Sequence, residues 1–169
     1  MDIHLVFPGE PRAVQSFRFT KRGRKYQPKE NVEWKGYIRM VATQTLPSGW
    51  TPVDCPVRIK KALFVFAPVK SLKAAQRRII EAGGFVSKTT KPDLTDNLFK
   101  GVIDALTGIL YRDDALICGL DGVEKVYGRI PRIELVFDIQ RKPLASDLFS
   151  MRETFEKATA KAGFELVFE

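Results

Sequence analysis

The sequence predicts an α+β fold: a mixed β-sheet packed against several helices in a single domain. Three observations predict it. A chain of 169 residues with 44% hydrophobic and 28% charged side chains has the size and balance of one globular domain. Stretches with strand character, Val57 to Phe66 and Arg132 to Gln140, lie among stretches with helical periodicity, Asn31 to about Gln44 and Asp96 to Thr107. The last two strands before the tail are expected to form an antiparallel hairpin, which separates this pattern from a purely parallel α/β order.

Ile3 to Phe7 reads as the first strand, closed by Pro8-Gly9. Glu10 to Pro28 is a polar, basic loop with a hairpin expected around Gly23. Val32, Tyr37, Ile38 and Val41 give the next segment a helical face, with Asn31 as its N-cap. Leu46 to Pro56 holds Pro47, Gly49, Pro52 and Pro56 and is a loop. The β-branched and aromatic content of Val57 to Phe66 marks a strand. Ser71 caps a helix that runs to about Ala82 and stops at Gly83-Gly84. Phe85 to Ser87 is a short extended piece.

The helix from Asp96 to Thr107 ends at Gly108. Ala115 to Tyr127 is a strand pair or one bulged strand, broken at Asp121-Gly122. The turn Gly128 to Pro131 leads into the strand in which Ile133, Leu135, Phe137 and Ile139 alternate with mostly polar residues. Residues 1–140 form the main body. Residues 141–169 are expected to add a C-terminal helix, from Pro143 to about Ala162, to the same domain.

The formal net charge is +8, which points to a polyanionic partner. Its distribution is informative. Arg12, Arg18, Lys21, Arg22, Arg24, Lys25 and Lys29 fall in one stretch without an acid, interleaved with Phe17, Phe19 and Tyr26. Lys70, Lys73, Arg77, Arg78, Lys88 and Lys91 form a second group, just before an acidic segment. Cations beside carboxylates suit a phosphate backbone held against metal ions. Cys55 and Cys118 have neither metal-ligand nor disulfide-framework spacing. MDIHLVFPGE lacks the basic start and apolar run of a signal peptide, and no stretch approaches the ~20 apolar residues of a membrane span. A cytoplasmic protein without membrane association is expected.

The acidic segment is KPDLTDNLFKGVIDALTGILYRDD, residues 91–114. Leu98, Val102, Leu106 and Ile109 form the buried face of its helix. Asp96, Lys100 and Asp104 recur every four residues on another face, and Asp93 lies just before the first turn. After Gly108 the chain returns through Asp113-Asp114, which can bring a third carboxylate near the first two. Three carboxylates at one point repel one another unless a hard cation lies between them, and Mg²⁺ is bound by such oxygens. Taken singly, Asp96 is also a good N-cap, Lys100 and Asp104 a good exposed pair, and Asp113-Asp114 a good turn. His4 is the only histidine and sits in an apolar strand, which leaves Ser-His-Asp, Cys-His and zinc chemistry without support. No G-x-x-x-x-G-K-[ST] or G-x-G-x-x-G loop is present.

The run KPDLTDNLFKGVIDALTGILYRDDALI resembles the signature of the RusA family of Holliday-junction resolvases: roughly K-P-D-x-D-N-x-x-K, then D-A-L-x-G, then a D-D pair before a short apolar strand. FPGEPRAVQSFRFTKRGRKYQPKE is similar to the family's opening, and VEKVYGRIPRIELVF to its closing hairpin. The likeness spans roughly residues 1–140. It implies a RusA-like fold and a homodimer with one active site per protomer. It also implies Mg²⁺ dependence, with Mn²⁺ substituting, and paired nicks across four-way DNA junctions in recombination and repair. Carried onto this chain, it makes Asp93, Asp96 and Asp114 the metal ligands and catalytic carboxylates, with Lys100 assisting. Arg12, Arg18, Lys21, Arg22, Arg24, Lys25, Lys91 and Asn97 would contact DNA.

Two departures stand out. The family's D-x-D has become Asp93-Leu94-Thr95-Asp96, one residue longer. The opening lacks the usual lysine and R-P-R-F-like run, although Arg18 is kept. A binder of branched DNA whose extra residue silences catalysis is the competing expectation. A different nuclease core built on Glu124-Lys125 fits less well, because adjacent strand residues face opposite sides.

Overall fold

The computed structural model describes residues 1–14, 18–19, 21 and 23–140. The tail helix expected after Pro143 lies outside the described residues, and so does Arg22. In chain order the elements are β1 (Asp2–Pro8), β2 (Arg18–Phe19), β3 (Lys25–Tyr26), α1 (Lys29–Thr45), β4 (Val57–Phe66), α2 (Ala74–Glu81) and β5 (Val86–Ser87). A π-helical turn (Leu94–Phe99) then runs directly into α3 (Lys100–Leu106). A 3-10 turn (Asp114–Leu116) precedes β6 (Ile117–Leu120), β7 (Val123–Tyr127) and β8 (Arg132–Ile139).

The main sheet is mixed and six-stranded, as the α+β reading predicts, in the order β1-β8-β4-β7-β5, with β6 also on β4. The ten-residue β4 is its spine. β8 pairs with it antiparallel, while β6 and β7 pair with it in parallel. β6 and β7 act as one strand interrupted at Asp121-Gly122, where the amide of Ala62 donates to the Gly122 carbonyl at 2.8 Å. The expected closing hairpin does not form, because β4 lies between β7 and β8. The Gly128–Pro131 link crosses the end of β4, and the Gly128 amide donates to the Phe66 carbonyl at 3.0 Å. The smaller hairpin expected around Gly23 is present as the antiparallel pair β2 and β3.

One face of the sheet carries the core. Leu5, Phe7, Ile59, Phe64, Ile133, Leu135 and Phe137 meet Trp34, Ile38 and Ala42 of α1 and Val102 and Leu106 of α3. Each fully buried apolar side chain of this size contributes roughly 1.5–3 kcal/mol of transfer free energy. Leu63, Val65 and Val126 form a small separate cluster.

Two helix starts differ from expectation. α1 begins before Asn31, because the Pro28 carbonyl accepts from the amides of Asn31 (3.0 Å) and Val32 (3.3 Å). Asn31 is therefore buried inside the first turn and is not the cap. α2 begins at Ala74, where the Gln76 side chain reaches back to the Lys73 amide at 3.0 Å and replaces Ser71 as the start signal. The glycine stop is as predicted. Gly83 takes a φ of +89°, and its amide caps the Ile80 carbonyl at 3.0 Å.

Candidate active site

Asp93 ends the extended segment that follows β5 and stands at the helix start as the N-cap. Its carbonyl accepts from the Leu98 amide at 3.2 Å, a five-residue step that makes the first turn π rather than α. A π turn holds one residue more than an α turn, so it absorbs the extra residue of Asp93-Leu94-Thr95-Asp96. Asn97 Nδ2 donates to Asp93 Oδ2 at 3.3 Å. The helix thus starts at Leu94, two residues before the expected Asp96, which is exposed within the π turn. Lys100 is exposed one turn on. The expected Lys100–Asp104 pair is not formed, since Asp104 pairs with Lys35 of α1 at 3.4 Å.

Asp114 is placed differently. The Pro92 carbonyl is held by Lys125, which lies beside Phe64 in the sheet. At the far end of α3, the Leu110 carbonyl accepts from the Val53 amide and the Arg112 amide donates to the Val53 carbonyl, both at 3.0 Å. Ile117, three residues after Asp114, pairs with Val57. In the chain, the helical run Leu94–Leu106 and the turn at Gly108 lie between Asp93 and Asp114. The charge of Asp114 acts on the buried Tyr111, whose hydroxyl donates to the Ile103 carbonyl at 2.9 Å. Burial, then the Asp114 and Asp104 charges, push the ionisation of Tyr111 far above its ordinary value. Among the described residues, no three His, Cys, Asp or Glu side chains converge on one point.

The basic arm meets the acidic helix start directly. The Val14 amide donates to the Asn97 carbonyl at 2.9 Å, next to Asp96. The arm can cross there because α3 carries Gly101, where an added Cβ would overlap Val14 Cγ2. Arg12 lines a cleft of about 260 Å³ with Glu10, Glu33, Trp34 and Tyr37. Arg12, Lys21, Arg24 and Lys91 are exposed and Asn97 is half-buried, while Arg18 and Lys25 lie on the paired strands of the small hairpin.

A model of the family described as endodeoxyribonuclease RusA matches residues 8–137, which takes in the arm, the acidic block and most of β8. The chain belongs to the RusA endodeoxyribonuclease family. A protein of Bacillus subtilis (strain 168), described as uncharacterized protein YqaN, is 32% identical over 137 residues, covering 79% of this chain and 94% of its own length. The RusA match ends before residue 141, so the tail lies outside it.

The RusA acidic block fits a hard divalent ion by its donor chemistry. Asp93 and Asp96 offer exposed carboxylate oxygens from one helix start, and Mg²⁺ takes one or two such ligands while keeping water in its remaining positions. Asp96, Lys100 and Asp114 form no ion pair with another described residue.

Two lysines carry more of the site than their sequence context suggests. Lys125 donates from Nζ to the carbonyls of Thr90 (2.8 Å) and Pro92 (2.7 Å). Lys88, only 9% exposed, donates to Thr90 Oγ1 (2.6 Å) and the Tyr127 hydroxyl (3.2 Å). The Thr90 hydrogen bond, aided by Lys88, holds the Tyr127 pKa below its ordinary value. Lys88 is legible only as one of a basic group. Lys125 carries no signal that it reaches across more than thirty residues of chain.

Proposed function

We propose that this chain cuts branched DNA in a divalent-metal-dependent reaction, acting on four-way junctions in recombination and repair. The observation that carries the reading is the Val14–Asn97 hydrogen bond, which ties the cationic arm to the residue after Asp96. Phosphates gripped by Arg12, Lys21 and their neighbours are thereby led to the acidic helix start. Asp93 and Asp96 would hold Mg²⁺, with Mn²⁺ as a substitute. The ion supplies charge neutralisation at the phosphate and a more acidic bound water. Lys100, one turn away, is disposed to offset negative charge developing on the phosphate.

Among the described residues no three acidic side chains of one chain converge, which supports a particular form of dimer, in which Asp114 of a second copy completes the acidic pair. Each of two sites then draws on both protomers, and the junction receives two nicks.

The test is cleavage of a synthetic four-way junction against a linear duplex, with Mg²⁺ and then with chelator. Selective cutting that requires the metal and is abolished in Asp96→Asn is the expected result. Junction binding that never becomes cleavage, with Mg²⁺ or Mn²⁺, would instead identify a silent branched-DNA binder.

A further inference from the structure

We propose that Lys125 is a positioning residue for Asp93, gripping from β7 the main chain that delivers that carboxylate. The inference rests on the reading of Asp93 as a metal ligand. The Pro92 carbonyl that Lys125 holds at 2.7 Å belongs to the same peptide unit as the Asp93 amide. Fixing that carbonyl fixes the plane from which Asp93 departs. A hydrogen bond from an ammonium is stronger than a neutral one, and Lys125 makes two, to Thr90 and Pro92.

A second anchor acts on the same loop. Thr90 is held through its carbonyl by Lys125 and through its hydroxyl by Lys88. The Lys88 ammonium lies 5.1 Å from the Phe66 ring centroid and 5.0 Å from that of Tyr127. The Lys88 amide also donates to the Lys125 carbonyl at 3.0 Å. Neither lysine forms an ion pair with a described carboxylate. For Lys88, only 9% exposed, withdrawing the ammonium from water without an anion is costly, and fold stability alone would be met more cheaply there by an apolar residue. What the two lysines do achieve is a loop restrained on the near side of Asp93, while the Leu98 amide and Asn97 Nδ2 restrain it on the far side. A metal ligand needs its geometry held to within about 0.5 Å, and this loop has no other regular structure to hold it.

The experiment compares wild type with Lys125→Met and Lys125→Arg by three readouts. These are amide hydrogen exchange, Mn²⁺ binding without DNA, and the metal dependence of junction cleavage. In Lys125→Met, exchange across residues 90–97 should quicken by about tenfold while β1 and β8 keep their protection. Mn²⁺ affinity should fall by about tenfold, and Lys125→Arg should recover most of both losses. Should Lys125→Met fail to fold, Lys125→Gln is read in the same way. Unchanged exchange at residues 90–97, or protection lost evenly over the sheet, overturns the proposal. Cleavage by wild type with unchanged exchange in the variant removes the clamp and keeps the nuclease. A wild type that cuts no DNA, with faster exchange in the variant, removes the nuclease and keeps the clamp.

Discussion

Val14 and Asn97 are joined main chain to main chain at 2.9 Å, and Gly101 opens the space in which they meet. The contact joins the arm to the acidic helix start, and it rests on a missing side chain. Gly101→Ala improves intrinsic helix propensity by up to about 1 kcal/mol, yet its methyl would overlap Val14. The clash is expected to win, with a net loss of about 1–2 kcal/mol in denaturant unfolding. Adding Val14→Ala should recover most of that loss. A Gly101→Ala protein more stable than wild type would show that the arm is not seated on α3.

The π turn has its own test. Deleting Thr95 removes the residue that the five-residue step from Asp93 to Leu98 accommodates. The turn should become α, and the Asn97–Asp93 hydrogen bond should be rebuilt in new geometry. Junction cleavage that survives deletion within about threefold would show that both spacings present the carboxylates equally well. A loss of about a hundredfold is expected, with little change in melting temperature.

The proposed sharing of acidic centres between two copies predicts complementation. Asp96→Asn and Asp114→Asn should each be inactive alone. Mixed after unfolding and refolding together, they should regain single-strand nicking, because one of the two sites in a mixed dimer is then free of substitutions. If Asp114 serves Asp93 and Asp96 of its own chain, the mixture stays inactive.

The cationic arm should be readable in salt. Replacing Arg12 and Lys21 with glutamine should lower the slope of log affinity against log salt by about 0.9 for each duplex phosphate that the arm no longer neutralises. A junction titration from low to moderate salt measures it. An unchanged slope would place the DNA elsewhere on the protein.

Glu134 gives a prediction in pH. Burial raises its pKa, but Lys61 and Arg132, each at 2.6 Å, more than reverse this, and the net value lies below the ordinary 4.5. A carboxylate with a depressed folded pKa stabilises fully above its unfolded value, and that contribution is lost as pH falls through the folded one. Glu134→Gln should therefore melt below wild type at neutral pH, with a gap that closes as the solution is acidified past about pH 4.5. A constant gap across that range would refute the assignment.

Much of the fold is legible locally. The β-branched run Val57–Phe66 and the alternation of Ile133, Leu135, Phe137 and Ile139 give β4 and β8 directly, and both glycine stops hold. The strand order is not legible. The four residues from Gly128 to Pro131 look like a hairpin turn, yet β4 takes a partner on each side and turns the link into a crossing. The site divides in the same way. Side-chain chemistry singles out Asp93, Asp96 and Asp114. Whether the third returns to the first two depends on where Val53 catches Leu110 and Arg112, a pairing between distant segments that no local pattern records. The reach of Lys125 to Pro92 is hidden for the same reason.

The pairing of Asp2 with Asp138 joins the beginning of the chain to the last described strand. During synthesis, Ile3, Leu5 and Phe7 leave the ribosome long before β8 exists to cover them, and contacts between such remote segments form slowly. The nascent chain can already contain Asp93, Asp96 and Asp114 while lacking β8, the strand that joins β1 to β4. A messenger truncated before β8 should therefore yield an aggregation-prone product, one for chaperones and proteases to clear, with no partial nuclease released.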